Sequence, residues 1–519
     1  MVAPYRPLNS PPPTSQPVSL GPKVLGVILV ASIAIAASLS LSTHGASGSS
    51  MRSMLFGLGG VVIAASFFSA EIAIYGVLIA GAVDGLVKGV SAGAMGLLYK
   101  DVTLWILILV WAFRGLNTGR LNSLRHPVIL PLVLFGLYCG AELFNCTTLQ
   151  LTVGLAGLRS WLIWLPLVLI AYDLFTERTQ IERLIMFILL VTVPSSLYGA
   201  YQYNRGYGHL KELSPTFAYT DRFTSGQTVR AMSTFVHPST FGASMALAAL
   251  LLIGGVSFSR SGTLWKLMLL GGAGVCIIGM IASGSRTALV AIIPAGLMMM
   301  LFRRSGRAFA LVALVALMGI LAISHVFRTP SQLRYSKVPV SRQEIYARIA
   351  HPFEAGFANA MAHPLGVGIA TGIGLGRGAQ LMGGEETEVS TETQAWVEGE
   401  YGRALKELGI PGFIIYISLL FSCLRWSFHS YRRIVSPSYR SLAAALFAVM
   451  AAGLFMQTSG STLYQAPTGP IFWICTGILM KLYLIEAAER RSAEAWASAH
   501  GGPVEEETTV GTSASDALR

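Results

Sequence analysis

Phe241-Gly-Ala-Ser-Met-Ala-Leu-Ala-Ala-Leu-Leu-Leu-Ile-Gly-Gly-Val-Ser-Phe258 holds no charged residue, and a second apolar run over Leu264–Ile281 follows the short gap Ser259–Thr263. A helix needs about 20 apolar residues to cross a bilayer, and each of these runs comes close to that length. Neither run alternates polar with apolar, so a transmembrane strand of a β-barrel does not fit. Two such runs, joined by a gap carrying Arg260, read as a helical hairpin returning through a membrane.

The rest of the chain repeats the pattern. Its 519 residues are 53% hydrophobic and 12% charged, against roughly 25% charged in a soluble domain. A soluble protein of this size needs more polar surface than these residues supply. Further apolar runs are read near Val24–Leu41, Met54–Phe68, Ile72–Val87, Val102–Phe113, Val128–Leu143, Leu158–Leu174 and Leu184–Tyr201. Beyond the opening pair come Thr287–Phe302, Ala308–Phe327, Leu405–Phe421, Leu442–Phe455 and Pro470–Ile485. Val24–Leu41 exceeds the usual core of a signal peptide and is read as a retained first helix. The fold class expected is all-α, a polytopic integral membrane protein with about 12–14 transmembrane helices. Residues 1–22, with Pro11, Pro12 and Pro13, read as a disordered tail, 23–487 as the transmembrane domain and 488–519 as a second disordered tail.

Loop charge sets the orientation. With the amino terminus inside, Arg114, Arg120 and Arg125, then Arg260 and Lys266, then Arg303, Arg304 and Arg307 all fall inside. Arg425, Arg432, Arg433, Arg440, Arg490 and Arg491 follow them to the same side. Retention of Lys and Arg on the cytoplasmic face predicts this arrangement, with both termini cytoplasmic. It also accounts for the net charge of +12 without a nucleic-acid partner. Two longer segments, 203–240 and 328–404, fall outside, and the second is long enough to form a small helical cap.

The motif search is mostly negative. Asp84, Asp101, Asp173, Asp221 and Asp516 form no DxD pair, and HExxH and a Walker loop are absent, so no metal site is expected. The cysteines Cys139, Cys146, Cys276, Cys423 and Cys475 lie mostly in apolar runs and read as packing residues, with little to support a Cys139–Cys146 bridge. The glycines of Gly366-Val-Gly368 and Gly372-Ile-Gly374-Leu-Gly376 follow no strand and read as a turn-rich loop rather than a nucleotide fingerprint.

Arginine on the outer side is the positive signal. Arg159 lies at the outer start of one helix, Arg230 just before another, and Arg286 opens a third in Ser283-Gly-Ser-Arg286. One such arginine can snorkel to headgroups. Three at helix mouths, on the face where arginine is scarce, favour an anion site, since a guanidinium fork binds phosphate with two hydrogen bonds. Glu385, Glu386, Glu388 and Glu392 read as a solvated acidic run. Glu398 and Glu400 precede the run that starts at Leu405, where a carboxylate can act as general base or simply meet the positive end of the helix dipole.

Three segments carry a family likeness: Arg230–Gly242 (RAMSTFVHPSTFG), Ser285-Arg286-Thr287, and Arg348–Gly368 ending HPLGVG, followed by Glu398–Gly412. In them the chain resembles the superfamily of O-antigen ligases and O-antigen or exopolysaccharide polymerases, membrane glycosyltransferases that use lipid-linked glycans. The resemblance spans roughly Leu158–Ile485, and order and spacing weigh more in it than any single motif. It implies a bacterial inner-membrane enzyme with a periplasmic cap, acting without metal or cofactor on an undecaprenyl-diphosphate-linked glycan. Arg230 and Arg286 would hold the donor diphosphate, with Arg159 and Arg348 as further candidates, and Glu400 and His237 would contact the acceptor glycan. Ligases of the superfamily carry a histidine where this chain has Glu398, and polymerase-like members carry an acid there, so polymerisation is the expected activity. Membrane lipids, a chain-length regulator and a flippase are the implied partners. A ligase, and a transporter of a lipid-linked anion, are the alternatives. Polar residues gathered at one end of the helices speak against transport, which needs them at mid-membrane.

Overall fold

A computed structural model describes residues 69–90, 95–119, 121–145, 151–206, 224–225, 228–303, 346–371, 397, 399–460 and 462–499. The apolar runs Val24–Leu41, Met54–Phe68 and Ala308–Phe327, the tail 1–22, Cys146, Glu398 and the acidic run Glu385–Glu392 lie outside these residues. Every other apolar run coincides with helix. Among the described residues seven helices are long and apolar enough to cross a membrane.

At the centre stands α8 (Pro238–Phe258), whose opening proline suits the first helical turn, where its missing N–H is not needed. Its apolar residues run all the way round, so it is buried on every side. Around it pack α7 (Arg178–Arg205), α9 (Thr263–Ala282), α10 (Arg286–Arg303), α13 (Pro437–Met456) and α14 (Thr468–Ala499). The remaining helices are α1 (Ala70–Ala82), which is buried along its whole length, α2 (Asp84–Val90), α3 (Met95–Thr118), α4 (Ile129–Ala141), α5 (Leu151–Leu162), α6 (Pro166–Leu174) and α12 (Glu400–Arg433). A short α11 (His351–Ala362) lies against α12. Apart from a two-residue antiparallel ladder pairing Thr224 with Val229, the regular elements of the described chain are helices.

Several boundaries correct the sequence reading. The run Ile72–Val87 divides at Val83 into α1 and α2. Leu158–Leu174 falls within one membrane-length span, Gly154–Leu174, with a local interruption before Pro166 that separates α5 from α6. The segment read as a tail from 488 is helical to Ala499, because Glu486–Ala499 (EAAERRSAEAWASA) is rich in strong helix formers. The four described cysteines, Cys139, Cys276, Cys423 and Cys475, are buried free thiols, as their apolar settings predict.

The helix ends meet at two poles. At one, Asp173 accepts from Trp111 Nε1 at 3.1 Å and Ser123 Oγ at 2.6 Å, Glu489 pairs with Arg260 at 2.7 Å, and Tyr439 donates to Glu489 at 2.6 Å. This pole carries Arg114, Arg125, Arg425, Arg432, Arg433 and Arg440, the basic set that sequence charge assigns to one side. The opposite pole gathers the end of α1, the starts of α3, α8, α10, α12 and α14, and the ends of α7, α9 and α13. The candidate arginines Arg159, Arg230 and Arg286 lie there.

Candidate functional site

Between α7 and α8, residues Arg230–His237 run as irregular backbone into the bundle at the second pole. Buried backbone needs partners, and this segment finds them on three helices. Ala231 N donates to Ala282 O at 3.0 Å, at the end of α9. The Gln202 amide brackets Ser233, accepting from its N–H at 2.7 Å and donating to its carbonyl at 3.0 Å. Ser233 Oγ donates to Ser195 O at 2.5 Å, and Thr234 Oγ1 donates to Ala82 O at 2.6 Å. These bonds fix Arg230, whose Nε donates to Ser283 O at 3.3 Å. Ser283 lies in the corner between α9 and α10, three residues before Arg286, the first residue of α10. Arg230 and Arg286 are therefore brought to one corner, both half-buried.

The other predicted residues divide. Arg159 grips Asp101 with two prongs, Nε to Oδ2 at 2.5 Å and Nη2 to Oδ1 at 2.6 Å, so its fork is committed to a carboxylate. His237 sits at the N-cap of α8, and its Nδ1 lies 2.6 Å from Ser239 Oγ and 3.2 Å from the Ser239 N–H that it accepts from. That is a capping role. A His237→Asn chain, which keeps a short acceptor at the cap, should melt within about 0.5 kcal/mol of the parent, and His237→Ala should lose about 1 kcal/mol. A melting series in detergent checks both, and loss of folding in the Asn variant would argue against the cap. Glu398 and the Arg348 side chain lie outside the described residues.

Glu400 belongs to a buried ionic cluster. Glu400, Arg403 and Glu407 follow one another at three and four residues, on one face of α12's first turns. Arg403 and Glu407 are 0% exposed. The Arg403 guanidinium pairs with Glu407 Oε1 at 3.1 Å and Glu400 Oε1 at 3.4 Å, and it donates to Ser160 Oγ at 2.5 Å. It lies 4.2 Å above the Trp161 ring and 5.5 Å from that of Tyr464, and Trp161 Nε1 donates to Glu407 Oε2 at 2.7 Å. Sequence reasoning passed over Arg403 and Glu407. The signal present was their i, i+3, i+7 spacing with Glu400.

Just beyond the cluster α12 breaks at Gly409, with φ 63 and ψ −166. The freed carbonyls are taken up by the HPLGVG loop. Val367 N donates to Lys406 O at 2.9 Å and Gly368 N to Glu407 O at 3.2 Å, while Ile410 N donates to Pro364 O at 2.9 Å. Tyr138 OH donates to Leu408 O at 2.9 Å. Gly366-Val-Gly368 thus caps a broken helix, consistent with a turn-rich loop. Beside it Glu142 is buried and held by Asn145 Nδ2 at 2.8 Å.

Among the described residues no group of three or more His, Cys, Asp or Glu is placed to hold a metal ion. Compared with models of known protein families and with curated proteins, the sequence matches none.

Proposed function

We propose that the chain is a membrane glycosyltransferase that polymerises lipid-linked glycan repeat units, with undecaprenyl-diphosphate-linked donor and acceptor, at the pole opposite the basic loops. The observation that carries this reading is the corner that Arg230 and Arg286 share, two cations at the mouth of an apolar bundle. A guanidinium fork donates two hydrogen bonds to phosphate and keeps its charge, so two such groups at one corner suit a diphosphate. The motif order of the resemblance supplies the glycan.

In the proposed step the acceptor hydroxyl oxygen attacks the donor's anomeric carbon, and the bond from that carbon to the diphosphate oxygen breaks. Glu398 takes the hydroxyl proton, and Arg230 and Arg286 stabilise the charge that develops on the departing diphosphate. An acid rather than a histidine at 398 favours polymerisation over ligation. Purified protein reconstituted with carrier-linked repeat units should extend them. Arg286→Ala should lower extension about 100-fold or more, the usual cost of removing a group that stabilises developing charge. Glu398→Gln should abolish it with membrane abundance unchanged. Normal extension by Glu398→Gln would remove that residue from the mechanism. Carrier-linked full-length polymer accumulating in cells that lack the protein would replace polymerase with ligase. Absence of any extension would leave transport of a lipid-linked anion as the reading to pursue.

A further inference from the structure

At about 100° per residue, α11 divides its surface into three faces. Pro352, Gly356 and Ala360 form a narrow, buried face of small residues. Gly356 meets Gly402 of α12 so closely that a Cβ on either residue would collide with the other helix's backbone. The next face around the helix carries Phe353, Phe357 and Met361, exposed by 45%, 50% and 61%, and Leu365 extends it at 64%. On the far side is exposed His351, and Glu354, which accepts from Tyr346 OH, sits at the border between that side and the apolar face. A soluble cap would turn its large apolar residues toward the protein. Here the small ones face the protein and the large ones face away.

The neighbouring surface says what covers that face. The Phe353 ring lies 6.3 Å from Phe413, just past the break in α12. From there exposed Ile414, Ile417 and Phe421 continue down α12, a helix apolar enough to cross a bilayer. On the other flank Tyr138 ties α4 to the same break, and α4 exposes Leu134 and Leu137. The stripe on α11 is thus continuous with the lipid-facing side of the bundle. Twelve residues of helix are about 18 Å long, short of the roughly 30 Å hydrocarbon core, so α11 cannot cross. A helix with a packed face, an apolar face and a polar face in that order fits at the membrane surface.

We propose that α11 is an interfacial anchor, its Phe353–Phe357–Met361 face inserted among the acyl chains and headgroups of the leaflet at the second pole. Through the Gly356–Gly402 contact it fixes the depth of the α12 segment that carries Glu400, Arg403 and Glu407. The anchoring goes beyond the proposed reaction and stands whether or not the pole transfers glycans. It also places that pole at the depth of lipid phosphates.

The test uses the full chain with Cys146 changed to serine, so that the remaining cysteines are buried thiols that do not label. Phe353→Cys, Phe357→Cys, Met361→Cys and, on the polar face, His351→Cys are spin-labelled separately in phosphatidylcholine–phosphatidylglycerol nanodiscs. Collision with oxygen, which partitions into lipid, is compared with collision with a water-soluble nickel chelate. At 353, 357 and 361 the oxygen-to-nickel ratio should exceed that at 351 by about fivefold or more. Equal ratios at all four positions, with high access to nickel, would make α11 a water-exposed cap and overturn the anchor. Low access to both reagents, with spin–spin broadening that grows with protein per disc, would put a second copy on the face instead. Three labelled positions keep the test decisive if one variant misfolds.

Discussion

An Arg403→Met chain is expected to lose about 3–5 kcal/mol of stability, because it leaves buried carboxylates without their cation. Arg403 and Glu407 are fully buried and Glu400 is 3% exposed, so water cannot take over the guanidinium's role. Methionine keeps much of the volume over Trp161 and removes the charge and the donation to Ser160. The loss should therefore report electrostatics rather than a void. Converting all three residues together, Arg403→Met with Glu400→Gln and Glu407→Gln, should return most of the stability, since replacing a buried ionic cluster as a unit is often close to neutral. The measurement is thermal survival of the monodisperse peak in detergent for the single, paired and triple variants. If the triple variant is as unstable as Arg403→Met, the cost lies in packing against Trp161 and Tyr464 and the ionic account fails.

The same cluster marks where sequence reading stops. The bundle was legible because a bilayer demands apolar runs of nearly fixed length, and the gaps between them carry charge of one sign. Phe241–Phe258 and Leu264–Ile281 predict α8 and α9 almost to the residue. The shared pole of Arg159, Arg230 and Arg286 follows from the parity of the crossings. The contacts that separate these arginines were not legible. Asp101 lies 58 positions from Arg159, and Ser283 lies 53 from Arg230. Nothing local distinguishes an arginine committed to a carboxylate from one tied to a carbonyl beside Arg286. Acids at the start of α12 look like ordinary partners of a helix dipole. Only Ser160, Trp161 and Tyr464, brought from two other parts of the chain, reveal a buried network around Arg403.

Breaks in helices were equally hidden when a tertiary partner made them tolerable. Gly409 is such a case, and Gly409→Ala should lower stability by about 3 kcal/mol from conformation alone, since φ 63 with ψ −166 is essentially a glycine-only region. A steric cost adds to this, because a Cβ there would run into Pro364 O and the Gly366 N–H. If α12 straightened to escape the strain, Val367 N, Gly368 N and Tyr138 OH would lose the carbonyls of Lys406, Glu407 and Leu408. Each such bond is worth about 1 kcal/mol, and more when a buried donor is left unmet. The comparison is Gly136→Ala, inside α4, where a Cβ meets nothing within 4 Å. There alanine should raise helix stability by up to about 1 kcal/mol. A thermal-survival assay on both variants should move them in opposite directions. If Gly409→Ala melts with the parent, α12 runs straight in the folded protein. The cap formed by HPLGVG would then have no broken helix to serve.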